Sequence, residues 1–169
     1  MSENGVNMLK KFVSGAAISI CLLLLDQYTK YLAILHLKGK KAIPLIKGIF
    51  ELQYLENRGA AFGSFQGKQL LLLAVTFLAL LLVIYVYVKL PEQKRYMPLK
   101  ATVILLFSGA IGNMVDRICR KYVVDFLYVK VIDFPIFNVA DCYVTIAAIA
   151  LIILIMFVYQ EDELSFFNH

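Results

Sequence analysis

Imidazole is nearly missing from this chain. Its two histidines are His36 and His169, the second at the very end. A serine or cysteine nucleophile needs a base beside it, so Ser64 in "FGSFQG" and the three cysteines lack the usual partner. Cys21, Cys119 and Cys142 include no C-x-x-C pair and imply no disulfide framework. Cys21 and Cys142 lie in or beside apolar runs, where a thiol behaves as a small hydrophobe. The H-E-x-x-H zinc motif and the Gly-rich phosphate loop are absent as well. Charge is scarce: 17% of residues are charged and 61% hydrophobic, against roughly a quarter and a half in soluble domains. That balance excludes an ordinary soluble domain. The net charge of +5 does not indicate nucleic acid, because the basic residues lie in loops between apolar runs. Lipid headgroups account for them. The 169 residues suit one integral membrane domain, 1–169, with few crossings.

The apolar residues gather into runs. A bilayer-spanning helix needs about 20 mostly apolar residues, and the stretches 12–37, 70–88, 101–116 and 139–159 qualify. The first follows Lys10 and Lys11 as a secretory signal would, yet no small-residue cleavage site comes after it. It reads as a retained anchor. The third carries Ser108, Gly109, Gly112 and Asn113, and small residues let helices approach closely. Between the runs, 89–100 is a short basic turn marked by proline, whereas 38–68 and 117–137 are longer. Residues 50–54, Phe-Glu-Leu-Gln-Tyr, alternate apolar and polar like a half-buried strand, and 123–132 is rich in β-branched and aromatic residues. Four crossings put both termini on one side and both longer segments on the other. The expected architecture is an all-α four-helix transmembrane bundle under a small β-containing cap. Counting charge leaves its orientation open: six basic residues flank the helices on the terminal side and ten on the cap side.

Several polar residues sit where lipid or apolar packing is expected, all near the capped helix ends. Such groups in a bundle usually face its interior or a watery cavity. Asp26 and Lys30, spaced i,i+4, make an ion pair along one helix face. Asp116 and Arg117 end a helix, where a cation favours the negative pole, although Arg117 equally suits a substrate contact. Asn57 is a turn candidate, Asn113 sits among the small residues, and Asn138 is placed to cap the fourth helix. Asp133 beside Phe134 and Pro135 is a loop carboxylate without an assigned role. Asp125, inside "YVVDFLYV", is costly to bury without a partner. Asp141 is either a first-turn acid complementing the helix dipole or the second half of a pair. Two carboxylates held together cannot both ionise easily. Such a pair shares one proton and can activate water against a peptide bond.

Five blocks occur in order: "DQYTK" at 26–30, "NRGAAFG" at 57–63, "SGAIGNMVDR" at 108–117, "VVDF" at 123–126 and "FNVAD" at 137–141. In these the chain resembles the bacterial lipoprotein signal peptidases, or signal peptidase II. The resemblance implies an intramembrane aspartic endopeptidase without metal or organic cofactor, its cap extracytoplasmic and both termini cytoplasmic. It would be multi-pass in the bacterial inner (cytoplasmic) membrane, with its active site near the outer face. The catalytic pair falls on Asp125 and Asp141, and supporting polar residues on Asn57, Asn113, Arg117 and Asn138. Asp26, Lys30 and Asp116 fall on positions expected to be architectural. The implied substrate is a prolipoprotein whose cysteine carries diacylglycerol, cleaved just before that cysteine. Membrane lipids and globomycin-type inhibitors are the other expected partners, and no nucleic acid is. Two rivals use the same residues. A proton channel would spread its carboxylates through the membrane depth, and here they gather at one face. A non-enzymatic assembly factor would use the cluster to dock a partner, and a cleavage assay separates it from a protease.

Overall fold

A computed structural model describes residues 3–59 and 68–164. Ser64 and residues 60–63 of the "NRGAAFG" block lie outside the described residues. The helices are α1 (Glu3–Leu37), α2 (Gln69–Lys89), α3 (Met97–Arg120) and α4 (Val139–Ile153), the last running on as a wide π-type turn, Leu154–Val158. Each reaches the length and apolarity needed to cross a bilayer, with spans Met8–Leu37, Gln69–Lys89, Lys94–Arg120 and Val139–Val158.

Two helices run past the limits expected from apolarity alone. α1 starts well before residue 12. Lys11 does not interrupt it, because its ammonium crosses to α2 and donates to the carbonyls of Val88 (3.1 Å) and Leu90 (2.7 Å). A cation there meets the negative pole of α2. α3 overruns 101–116 at both ends. Pro98 lies in its first turn, where a missing N–H costs nothing, and Arg117 and Arg120 complete its last turn. Both arginines were expected in the 117–137 cap segment; they are helical instead. Lys121, with φ 66°, ends the helix in the left-handed region.

α3 is the central helix and packs against α1, α2 and α4. Its glycines explain how closely. A Cβ at Gly109 would stand 2.5 Å from the Ala140 carbonyl oxygen, and one at Gly112 only 2.6 Å from Asp26 Oδ2. The bundle is apolar outside as well as inside: Leu24, Leu78, Leu82 and Ile152 are each more than half exposed, as lipid-facing side chains must be. The end near the α2–α3 turn closes around Leu90, Leu99, Val103 and Leu154. There Tyr96 stacks on Tyr159 with centroids 5.6 Å apart. Arg95 grips both carboxylate oxygens of Glu163 at 2.8 and 3.0 Å.

At the other end lies a three-stranded antiparallel sheet in the order β1 (Ile43–Ile46), β2 (Phe50–Asn57), β3 (Val123–Val129). β2 extends the expected 50–54 strand to Asn57, and β3 stops before a 3-10 turn at Lys130–Ile132. Val124 and Phe126 of β3 pack on Ala33 and Leu37 at the end of α1, which anchors the cap to the bundle. In the register, Asp125 lies opposite Leu55 and Val123 opposite Asn57.

Candidate active site

The site forms where β3, the end of α3 and the start of α4 meet beneath the cap. Asp141 is held by the way its helix begins. Asn138 is the N-cap of α4: its Oδ1 accepts the Asp141 N–H at 3.0 Å, and Asp141 Oδ2 accepts the Asn138 N–H at 3.1 Å. This reciprocal capping box satisfies two donors that a helix start otherwise leaves open. The other oxygen, Asp141 Oδ1, accepts Asn113 Nδ2 at 2.7 Å. Asn113 projects from α3 one turn after Gly109.

Asp125 is set by the strand, buried to 1% exposure. Its Oδ1 accepts Asn138 Nδ2 at 2.6 Å, and its Oδ2 accepts Asn57 Nδ2 at 2.9 Å. Asn57 is itself fixed, since its Oδ1 takes the Gly59 N–H at 3.0 Å. Asn138 thus touches both acids and also donates to Asn113 Oδ1 at 3.2 Å. Burial, then the neighbouring Asp141 carboxylate, push the Asp125 carboxyl up to about 7. The Asn57 and Asn138 amides, and then Lys30, pull the other way.

Directly behind the pair lies a second, fully buried cluster. Lys30 Nζ sits 2.9 Å from Asp26 Oδ2 and 3.1 Å from Asp116 Oδ2, with all three side chains at 0% exposure. Its third contact is Asn113 Oδ1, at 3.0 Å. The two carboxylates also hold backbone: Asp26 Oδ1 accepts the Ala140 N–H at 2.9 Å, and Asp116 Oδ2 the Val124 N–H at 3.1 Å. Ala140 precedes Asp141 and Val124 precedes Asp125, so each buried ion fixes the backbone beside one member of the pair. Arg117 occupies the rim, donating to the carbonyl oxygens of Gly59 (3.2 Å) and Asn113 (3.4 Å), while its Nε is buried without a partner among the described residues. Asp133 stays in the cap, accepting the Tyr128 hydroxyl at 2.5 Å.

A family model for signal peptidase (SPase) II matches residues 18–157. The chain belongs to the signal peptidase II family. Among its relatives, the lipoprotein signal peptidase of Clostridium tetani is 45% identical over 144 residues, covering 83% of this chain and 88% of that one. The enzyme of the same name from Streptococcus pyogenes is 38% identical, covering 85% and 91%. A solved bacterial membrane enzyme superposes with a TM-score of 0.74 at 30% identity, covering 86% of this chain and 94% of its own. A second gives 0.73 at 31% identity, covering 85% and 87%. The protein is accordingly a multi-pass bacterial membrane protease of the signal peptidase II family, whose members cleave the signal peptides of prolipoproteins.

Two contributors escaped the sequence reading. Gln27 donates to Asp26 Oδ2 and Asp116 Oδ1, both at 3.1 Å, and so bridges the carboxylates that Lys30 neutralises. Arg120 donates to Asp116 Oδ1 and to Gln27 Oε1. The i,i+4 spacing from Asp116 to Arg120 was a usable signal. Gln27 offered only its position inside the first motif block.

Proposed function

We propose that Asp125 and Asp141 are the catalytic dyad, and that the substrate is a diacylglyceryl-modified prolipoprotein cleaved before its lipidated cysteine. The observation that carries this reading is Asn138, which donates its side-chain amide to Asp125 while bracketing Asp141 through the capping box. One residue thereby registers both carboxyls, and the amides around them supply no cation to quench either.

The chemistry is that of a shared proton. One carboxylate of the dyad takes a proton from water as the water oxygen attacks the scissile carbonyl carbon. The protonated partner hydrogen-bonds the carbonyl oxygen and stabilises the charge that develops there. The tetrahedral diol collapses with proton transfer to the leaving nitrogen, the C–N bond breaks, and the new amino terminus departs on the cysteine. The resting proton belongs to the coupled pair. Asn57, Asn113 and Asn138 keep the acids in register, and Arg117, from the rim, contacts the substrate backbone. Asp26, Lys30 and Asp116 are architectural.

In this reading the whole chain acts as one integral membrane domain with both termini cytoplasmic and the site near the outer face. The dense basic turn at 89–100 supports that orientation. The diacylglyceryl chains stay in lipid while the signal peptide lies between the helices, bringing the scissile bond to headgroup depth. Globomycin-type peptides inhibit by occupying the same space. The test is cleavage of a lipid-modified precursor by Asp125→Asn and Asp141→Asn. Each is expected to lose at least ~10²–10⁴-fold in turnover while eluting as folded protein. Normal turnover in either variant removes that residue from the dyad.

A further inference from the structure

On the half of the bundle away from the active site, a groove of about 810 Å³ opens between α1 and α3. That volume falls in the ~300–1,000 Å³ range of small-molecule sites. Its walls change character along their length. One end carries Lys10, Lys11 and Lys100 against a single acid, Glu92. The remainder is apolar, with Ile18 and Leu22 from α1 facing Ile104 and Leu105 from α3.

Both the length and the charge of this groove are specific. From Lys11 to Leu22 the helix rises about 16 Å at ~1.5 Å per residue. One leaflet of hydrocarbon is about 15 Å deep, half of a ~30 Å core. The lysines thus stand at one headgroup level and the apolar walls reach toward mid-membrane. Lys11 is immobilised there by the Val88 and Leu90 carbonyls, while Lys10 is exposed and Lys100 half-buried. A slot with three cations at the surface end and aliphatic walls below is complementary to a phosphate joined to an acyl chain. A signal peptide does not match it, because such peptides lead with positive charge.

We propose that this groove is a binding site for an anionic phospholipid of the leaflet on the side of the chain termini. The phosphate lies among Lys10, Lys11 and Lys100, and one acyl chain lies between α1 and α3. A zwitterionic lipid is disfavoured because its own ammonium meets the same lysines. Each basic residue near a headgroup contributes about fivefold to anionic-lipid affinity, so removing two costs about 25-fold.

The test is native mass spectrometry of the full-length protein in detergent with equimolar phosphatidylglycerol and phosphatidylcholine. The wild type is expected to retain one phosphatidylglycerol at least about tenfold over phosphatidylcholine. Lys10→Gln/Lys100→Gln is expected to lower that preference by about 25-fold, leaving at most the contribution of Lys11. Cleavage of a lipid-modified precursor, unchanged within about twofold, checks that this variant is folded. Ala101→Phe, which narrows the groove without altering charge, is expected to lower retention of phosphatidylglycerol. Equal retention of both lipids by the wild type overturns the proposal, as does an undiminished preference in the double variant. Displacement by glycerol phosphate overturns the acyl-chain part of it, and displacement by a basic signal peptide assigns the groove to the substrate.

Discussion

Four buried or near-buried aspartates meet at one end of this bundle, and they live in two different electrostatic worlds. Asp26 and Asp116 share the ammonium of Lys30 and each accepts a backbone N–H besides. Among the described residues, the side chains that donate to Asp125 and Asp141 are the neutral amides of Asn57, Asn113 and Asn138. The first set is compensated by a contacting cation. The second has no ion-pair partner among the described residues, as the proposed sharing of a proton requires. Neutral donors align a carboxyl without pinning its ionisation, whereas a contacting cation lowers the carboxylate pKa steeply. Burial alone therefore does not mark chemistry; the kind of partner does.

The comparison breaks most dramatically at Lys30. Replacing it by Met leaves Asp26 buried without a cation and Asp116 with Arg120 alone, which costs about 3–5 kcal/mol. Loss of folded protein in thermal unfolding is the expected outcome, and a variant that melts like the wild type would erase the distinction between the two sets. Asp26→Asn is expected to lower folded yield in the same way; if it folds normally yet fails to cleave, Asp26 belongs with the dyad.

Packing gives the next effect. Gly109→Ala sets a methyl 2.5 Å from the Ala140 carbonyl oxygen, and relieving that contact costs about 1–3 kcal/mol. Because α4 must shift to accommodate it, turnover is expected to fall further than the melting temperature suggests, measured on the same preparation.

A subtler difference lies in the response to pH. The Asp125 carboxyl is held at about 7 against an ordinary 3.8, so the folded state favours its protonated form. That contribution to stability is complete below about 4 and is lost as pH rises through about 7. Thermal unfolding between pH 5 and 8 should show a decline in the wild type that is shallower in Asp125→Asn. The activity that depends on the shared proton falls over the same alkaline range. Asn57→Ala removes a hydrogen bond that holds the Asp125 pKa down, so the alkaline limb should move to higher pH even as the rate drops. A limb that stays put, or moves down, uncouples Asn57 from the dyad. The smallest effect is reserved for the exposed Lys38–Glu56 pair, where Lys38→Ala should leave the melting temperature unchanged within the error of the measurement.

Much of this arrangement was legible in the chain itself. Apolar runs marked the four helices, alternation at 50–54 marked β2, and two acids in apolar surroundings marked the pair now proposed as the dyad. Apolarity could not say where the helices end, because Lys11 and Pro98 read as interruptions until their positions on neighbouring carbonyls and in a first turn are known. β1 was hidden by its brevity and by Pro44. The links from Gln27 to Asp116 and to Arg120 join residues 89 and 93 positions apart, and no local pattern encodes partners at such separation. Likewise, Asn138 read as a helix cap, and nothing nearby in the chain revealed that its amide also reaches Asp125.

That double duty has a further consequence. Asp141 closes the first turn of α4 and is also a member of the proposed dyad, so that turn cannot unravel without carrying the carboxyl away from Asn113 and Asn138. On the proposed assignment, fraying of that single helix end would disarm the protease before the bundle melts. Hydrogen exchange at the Asp141 amide would follow competence for cleavage more closely than any probe of global unfolding.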